Sequence, residues 1–395
     1  MGKLIRSELK KILWHPWVLI LLVGALAAGN YQLVLQYSYA PEYYEYGKEF
    51  MASYGGILTR EKYEEIKELR TVQREDMMIS YESMWSSTAM RDIEYLVSFA
   101  GNRDELLSVA RENVVRYEEA GLVYEQRLNT YIHRQYKEKP NVQLVAIDSW
   151  ERYFEFNSFV MFPLLVITLL LATIFTNEKE SGCDPVLAAS VSGRKGMFRS
   201  KVIVSVLVAA GVMLLFVVVR TAVSVYTEPL THWQAPVQSL VLFERCPYMI
   251  TIGEMAVIRG GLLCVVAMVH GLFVSLLSSL FSRNISGIIV GVFWYLATYF
   301  WYPMMTYYGV MLGISVEHKE LADLLHVLRR FWYPMLSEST YYLEKTNMVN
   351  VFGFAVPALA MCLCVTLLLA AGGIYLAYRL YMRNDLSYAA RRKMK

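Results

Sequence analysis

Six apolar runs, each about as long as a helix that crosses a lipid bilayer, constrain this chain more than any other feature. A hydrocarbon core about 30 Å thick takes about 20 residues at 1.5 Å per residue. The runs occupy residues 14–37, 158–176, 202–226, 259–282, 284–302 and 351–378. The third is uncharged as far as Val219 and then carries Arg220. The fifth is expected to stop where the interfacial aromatics Trp301 and Tyr302 meet the helix breaker Pro303. Composition points the same way: of 395 residues, 56% are hydrophobic and 18% charged, which disfavours a cytosolic enzyme. A net charge of +3 is too balanced to suggest a nucleic-acid partner. The five cysteines show no C-x-x-C spacing and none falls between residues 38 and 157, which argues against a disulfide scaffold or a zinc ribbon.

Lys3, Arg6, Lys10 and Lys11 precede the first run, and Ala25, Leu26 and Ala27 lie inside it, a pattern that resembles a cleavable signal peptide. A retained anchor is favoured, because the uncharged stretch continues through Leu33, Val34 and Leu35 and five further runs follow. Charge then sets orientation, since Lys and Arg in short segments beside spans favour the cytoplasmic face. Residues 1–13, 177–201, Arg283 and 379–395 together hold 16 Lys and Arg against five acids. The segments that alternate with them hold 20 against 30. This segregation predicts a multi-pass protein of a cell membrane, of the bacterial plasma-membrane kind, with both termini cytoplasmic.

Residues 38–157, with 15 Lys and Arg and 22 Asp and Glu, form the expected extracytoplasmic domain. Tyr63, Ile66, Leu69 and Val72 recur at three-residue steps after Thr59. A second helix is expected from Asp104 to the Gly121 break, with Leu106, Leu107, Ala110, Val114 and Val115 on one face, and a third over 124–136. Such short helices persist in water only by packing together, so a small helical bundle is expected. Tyr37, Tyr39, Tyr43, Tyr44, Tyr46 and Tyr54 cluster at the membrane exit, either as an interfacial belt or as a collar for an amphipathic ligand. Residues 303–350 are a further outer element with a helical pattern at Leu321, Leu324, Leu325 and Leu328, read as lying on the outer leaflet. A short half-helix is possible within 228–254.

The inner loop over 177–201 is the most informative segment. Asp184 and Pro185 suit a helix start, and Gly193 would end that helix before a basic cluster. Phe175, Glu178, Gly182, Leu187, Arg194 and Lys201 stand in the order and spacing found in permease subunits of ATP-binding-cassette (ABC) transporters of the type-2 exporter superfamily, which this sequence resembles. It departs from that family at Val191, where a Pro is common, and at Cys183 after the Gly.

The runs, charges and periodicity predict an all-α polytopic fold with six transmembrane helices, a helical extracytoplasmic domain between the first two and outer helices before the last. The resemblance covers most of the chain except that outer domain. It implies a coupling helix within 178–194 that docks on a separate ATPase subunit, an interfacial elbow helix at Lys3–Leu13, and a second permease chain in a homodimer or heterodimer. Glu178, Gly182, Leu187, Arg194 and Lys201 are the implied coupling residues. ATP and Mg would be bound by the partner ATPase and no cofactor by this chain. The cargo expected from the aromatic outer surfaces is an amphipathic peptide or a lipid-like molecule. Mechanically, ATPase closure must reach the spans through a rigid element that touches both. The plainer reading of the loop is a basic segment held by anionic membrane lipid. A different class of function also stays open: an assembly that passes ATPase motion to the outer domain, or senses a peptide there, without transport.

No phosphate-cradling loop of the form G-x-x-x-x-G-K followed by Ser or Thr occurs, so the chain is not expected to be the ATPase. Nor do H-E-x-x-H or G-x-S-x-G occur, and the six histidines are scattered, which leaves an enzyme without candidates for a catalytic or metal site. Three polar residues inside the runs are candidates for a pathway or outer vestibule. Arg220 and Arg259 should lie at one level near the outer interface, where snorkelling to water is the simpler account. His270 is expected to hydrogen-bond a neighbouring helix, with a substrate role as the alternative. Gly24 with Ala28, and Gly287 with Gly291, would let helices approach closely.

Overall fold

A computed structural model describes residues 2–75, 80–155, 158–183, 186, 193–313 and 330–393. The apolar runs fold as helices. The N-terminal amphipathic helix α1 (Gly2–Leu13) leads into α2 (Pro16–Tyr39). After a domain of five helices come α8 (Met161–Leu171) and, past one turn, α9 (Thr176–Glu180). Then follow α10 (Gly193–Thr227), α11 (Ile252–Ser278), α12 (Asn284–Gly313), the short α13 (Ser339–Leu343) and α14 (Ala358–Lys393). Among the described residues, five stretches are long and apolar enough to cross a membrane: Pro16–Tyr39, Met161–Glu180, Gly193–Thr227, Ile252–Ser278 and Ala358–Met382. The chain is therefore an all-α polytopic membrane protein, with one antiparallel hairpin, β1 (Met348–Val351) and β2 (Phe354–Pro357).

The bundle is centred on α8 and α11, whose apolar windows are the most enclosed, while α2 and α14 turn most of their surface outward. Close approach is set by missing side chains. A Cβ on Gly271 of α11 would lie 2.8 Å from Ala209 Cβ of α10 and 2.9 Å from Leu171 of α8, so three helices meet at that glycine. A Cβ on Gly287 of α12 would lie 2.5 Å from the Ala172 carbonyl oxygen, where the end of α8 passes. The expected Gly287 and Gly291 pair thus packs within the chain, whereas Gly24 has nothing within 4 Å of its would-be Cβ.

Helices α3 (Pro41–Tyr54), α4 (Arg60–Glu75), α5 (Tyr81–Glu119), α6 (Val123–Gln135) and α7 (Ile147–Glu155) fill the segment between the first two spans; Ile147, Trp150 and Phe154 of α7 belong to the bundle's core, whereas α3, α4 and α5 share a core of their own. Phe50, Met51, Ile66, Trp85, Ala89, Ile93 and Leu144 are its buried centre. Helix α5 is longer than the pattern from Asp104 suggests, because Ser80 caps it by accepting from the Ser83 amide at 3.2 Å and it continues through Gly101, whose surroundings are open. Its 39 residues reach about 58 Å at 1.5 Å each.

Several boundaries differ from the sequence pattern. The third span begins at Gly193 rather than near Val202, because its basic residues are carried on a continuous helix. Pro303 does not end the fifth helix, which runs to Gly313. The 228–254 segment contains no half-helix but two 3-10 turns, Val237–Ser239 and Val241–Phe243. Helix α11 then opens with a reciprocal cap, the Glu254 amide donating to Thr251 Oγ1 at 3.1 Å and the Thr251 amide to Glu254 Oε2 at 2.8 Å. The start expected for the last span at Val351 is taken by the hairpin, where Phe352 and Gly353 turn with positive φ. The leucines at 321, 324, 325 and 328 and the helix start at Asp184 and Pro185 lie outside the described residues.

Candidate functional site

Short α9, directly after the second span, gathers the residues singled out in the loop. Its amphipathic neighbour α1 lays Glu8 and Lys11 against it. Lys11 Nζ lies 2.8 Å from Glu178 Oε1 and 2.7 Å from Glu8 Oε1. Lys201, at the start of the third span, places Nζ 3.0 Å from Glu178 Oε2 and 3.7 Å from Glu8 Oε2, and also donates to the Ile174 carbonyl. Its side chain is 2% exposed, so this ammonium is held entirely by protein. Two cations and two anions therefore form one network that ties α1, α9 and α10. Burial alone would pull the Lys11 ammonium down, but its hydrogen bonds to Glu178 and Glu8 outweigh that and hold it above its ordinary value. A cavity of about 250 Å³ opens beside the network, lined among others by His15, Trp17, Thr173 and Asn177.

An aromatic platform underlies these charges. The Phe175 ring centre lies 5.7 Å from Phe198 and 5.6 Å from Tyr381 of α14, and Phe198 lies 5.4 Å from Tyr378. Lys201 sits 5.3 Å above the Phe175 ring and Arg194 5.7 Å above Tyr381. The far side of α9 holds the turn between α11 and α12. Lys179 donates to the Phe281 carbonyl at 3.0 Å, the Asn284 amide donates to Glu180 Oε2 at 2.8 Å, and Thr176 donates to Asn284 Oδ1 at 2.7 Å. Helix α9 is thus a hub in contact with α1, α10, α12 and α14.

Gly182 ends that hub for a specific reason. It has φ +73°, its amide donates to Lys179 O at 3.3 Å, and the Cys183 amide donates to Glu178 O at 3.0 Å. This is the Schellman pattern, in which the residue after the cap takes the left-handed conformation glycine tolerates best. Gly193, expected to end a helix, instead begins α10 with φ +54°, because the basic residues after it continue the span helix. Leu187 lies outside the described residues. Of the loop residues, then, Glu178, Lys201 and Arg194 converge with Gly182 around α9. Glu8, Lys11 and Tyr381 were not foreseen. The available signal was Glu8, the one acid in an otherwise basic amphipathic α1.

The three polar residues inside the spans fall in two places. His270 is fully buried in a chain of side-chain hydrogen bonds whose direction can be worked out. Thr168 Oγ1 spends its proton on Leu164 O at 2.8 Å, so it accepts from His270 Nε2 at 2.9 Å. His270 Nδ1 must then accept from the Tyr333 hydroxyl at 3.1 Å, and Tyr333 accepts from Thr298 at 3.2 Å. Helices α8, α11 and α12 and the turn at Tyr333 are joined around one imidazole, as expected of a helix-to-helix hydrogen bond.

Arg220 and Arg259 lie together at the opposite end of the bundle, but they do not snorkel. They are 6% and 7% exposed, enclosed by the α7–α8 segment. Arg259 donates to the Tyr153 carbonyl, and its guanidinium lies 5.7 Å from the Tyr153 ring, while Arg220 lies 5.8 Å from Phe159. At this end Arg152 holds Glu228 at 2.8 Å, and α5 reaches the 228–251 loop through Tyr95, which donates to Gln238 O at 2.8 Å, and Asn102, which donates to Glu244 at 2.7 Å. Among the described residues no three His, Cys, Asp or Glu come together as a metal site. No protein family, curated protein or solved structure matches this chain.

Proposed function

We propose that the chain is the transmembrane permease subunit of an ABC exporter, coupling ATP hydrolysis on a separate subunit to movement of an amphipathic peptide or lipid-like substrate. The observation that carries this reading is the α9 hub. A segment that must pass a push from a soluble engine to the spans needs stiff connections to several of them, and α9 has charged or hydrogen-bonded links to α1, α10 and the α11–α12 turn. In this reading α12 is the fifth of six spans, the hub end faces the cytoplasm of a bacterial plasma membrane, and the α3–α7 domain lies outside. The gathering of residues 1–13 and 177–201 with α14 around α9, away from that acidic domain, supports the orientation. Arg194 and the neighbouring loop would meet the ATPase, and a second permease chain would complete the pathway.

A second reading is supported by the α3–α7 domain, whose α3, α4 and α5 share their own core and which is bonded to the loop before α11. Motion of the spans would reach it directly, so the assembly could signal or sense outside without moving cargo.

The test is affinity purification of the tagged full-length chain in mild detergent, with identification of co-purifying chains and an ATPase assay of the native protein and of Glu178→Gln and Arg194→Ala. An ATPase subunit whose association or activity depends on those residues is expected. Recovery of this chain alone in several detergents overturns the permease reading. Stimulation of ATPase activity by a soluble external protein, with no ligand movement into vesicles, selects the second reading.

A further inference from the structure

The cleft beside the α9 hub has room for a ligand, and its lining selects the kind. It holds about 250 Å³, the share of roughly eight waters in the liquid. Two smaller clefts, around Arg220 and around Arg103, hold about 20 Å³ each. Four ionised groups line the large one, Glu8, Lys11, Glu178 and Lys201. Their charges sum to zero and they already bond one another, Lys11 to the two carboxylates at 2.7 and 2.8 Å and Lys201 to Glu178 at 3.0 Å. These four leave no charge for a ligand to neutralise, so a headgroup with a net charge would lose its water here without gaining a partner.

The groups that remain to be bonded are of another kind. Asn177 accepts from Asn284 through Oδ1 at 2.8 Å, but its NH2 group makes no hydrogen bond to a described residue, and neither do the Thr173 hydroxyl and the His15 ring. All three line the cleft beside the apolar Ile12 and Leu170. Such donors and acceptors match hydroxyl groups, which give and take hydrogen bonds without carrying charge. Trp17, 48% exposed, adds a flat indole suited to the C–H face of a sugar ring. Trp17 also joins the cleft to the bilayer. At three-residue steps along one face of α2 stand Ile20 and Val23, 73% and 57% exposed. An apolar track therefore starts at the mouth of a polar cleft, in the first turn of a span, where headgroups lie.

We propose that the cleft between α1, the start of α2 and α9 binds the single-sugar head of a neutral glycolipid, with a monoglucosyl diacylglycerol as its simplest representative and the acyl chains along Ile20 and Val23. Such a site requires only that α2 lies in the bilayer, whichever end faces the cytoplasm and whatever drives the spans. Its occupant would brace α1 against α9 from the lipid side.

The experiment uses the full chain in amine-oxide micelles, a detergent without sugar. Native mass spectrometry with added monoglucosyl diacylglycerol, diacylglycerol, phosphatidylglycerol or phosphatidylethanolamine reads what stays bound, methyl glucoside reads whether the free sugar competes, and a glucolipid with a photoreactive head reads where. One glucolipid per chain is expected, retained about tenfold better than the other three lipids, cross-linked within 8–17 or 170–178, and not displaced by millimolar methyl glucoside. The double variant Trp17→Leu with Thr173→Val should retain it about tenfold less. Equal retention of diacylglycerol or of either phospholipid, unchanged binding in the double variant, or displacement by methyl glucoside overturns the glycolipid site. If the variant loses its fold by circular dichroism, the cross-link map on the native protein decides, and adducts confined to other segments overturn it.

Discussion

Replacing Glu178 by Gln removes one charge from the α9 network and leaves its shape intact. The consequence follows from what remains. Lys201 keeps the Ile174 carbonyl but loses its carboxylate at 3.0 Å, and among the described residues the other carboxylate it meets, on Glu8, stands at 3.7 Å. With a side chain 2% exposed, Lys201 depends chiefly on protein partners for its charge. Breaking a buried pair from one side costs about 3–5 kcal/mol, and the surviving Glu8 places this case near the lower end. Lys11, half exposed, adds little, since exposed pairs are worth less than about 1 kcal/mol. A loss of about 3 kcal/mol is therefore expected for Glu178→Gln. It can be read by reversible unfolding of the full chain in mixed dodecyl sulfate and dodecyl maltoside micelles. The double variant Glu178→Gln with Lys201→Met should recover most of it, because an apolar side chain in place of Lys201 removes the stranded charge. If Glu178→Gln unfolds within 0.5 kcal/mol of the native chain, or the double variant is worse than the sum of its parts, the network does not hold this end together.

Asp92 in α5 is 1% exposed, and burial pushes its carboxyl up to about 7, against an opposing hydrogen bond from Arg91 at 2.9 Å. Because the folded group binds its proton more tightly than the unfolded one, with an ordinary value of 3.8, the α3–α7 domain should lose stability as pH rises from about 4 to about 7. Protection factors of α5 amides, with the intrinsic pH dependence of exchange divided out, should fall over that window, and Asp92→Asn should abolish the fall; constant protection factors in the native chain would refute the assignment. Gly287→Ala would put a methyl 2.5 Å from the Ala172 carbonyl, a backbone atom that cannot swing away, so a loss of about 1–3 kcal/mol is expected, against little change for Gly24→Ala. Equal melting temperatures for the two variants would contradict the α8–α12 contact. Tyr333→Phe leaves His270 Nδ1 without its donor and should cost about 1–3 kcal/mol, while Thr298→Val, at the end of the chain of hydrogen bonds, should cost less. The opposite ranking in thermal unfolding would overturn the tautomer derived above.

Much of the fold was legible because the signals were of the kind a short window can carry. An apolar run needs no knowledge of its neighbours to become a helix in lipid; α6, Val123–Gln135, falls within one residue of the stretch marked for it, and α4, Arg60–Glu75, starts one residue after Thr59 and contains every residue of the marked pattern. Helix α5 was half missed because Gly101 and Asn102 resemble a boundary; the first half is kept helical by Trp85, Ala89 and Ile93 packing into the domain core. The hairpin over 348–357 was hidden where the outer element over 303–350 meets a run read as span, since Val351, Ala355 and Val356 suit either state and only strand pairing distinguishes them.

The candidate site divides along the same line. Glu178, Gly182, Arg194 and Lys201 could be picked out by order and spacing, and Gly182 is explained locally, by a cap that closes within six residues. What they do could not. Lys11 reaches Glu178 across 167 positions, and Lys201 reaches Ile174 across 27. Likewise, Arg220 and Arg259 carry the same charge wherever they stand, and a helical rise places them at one depth. Whether each points to water or into protein depends on α7 and α8 closing over them. By itself the sequence determined which segments avoid water and which end of each carries positive charge, because transfer and charge are properties of the residues present. Only the tertiary structure decided which charges neutralise one another, because that depends on the helices between them folding first.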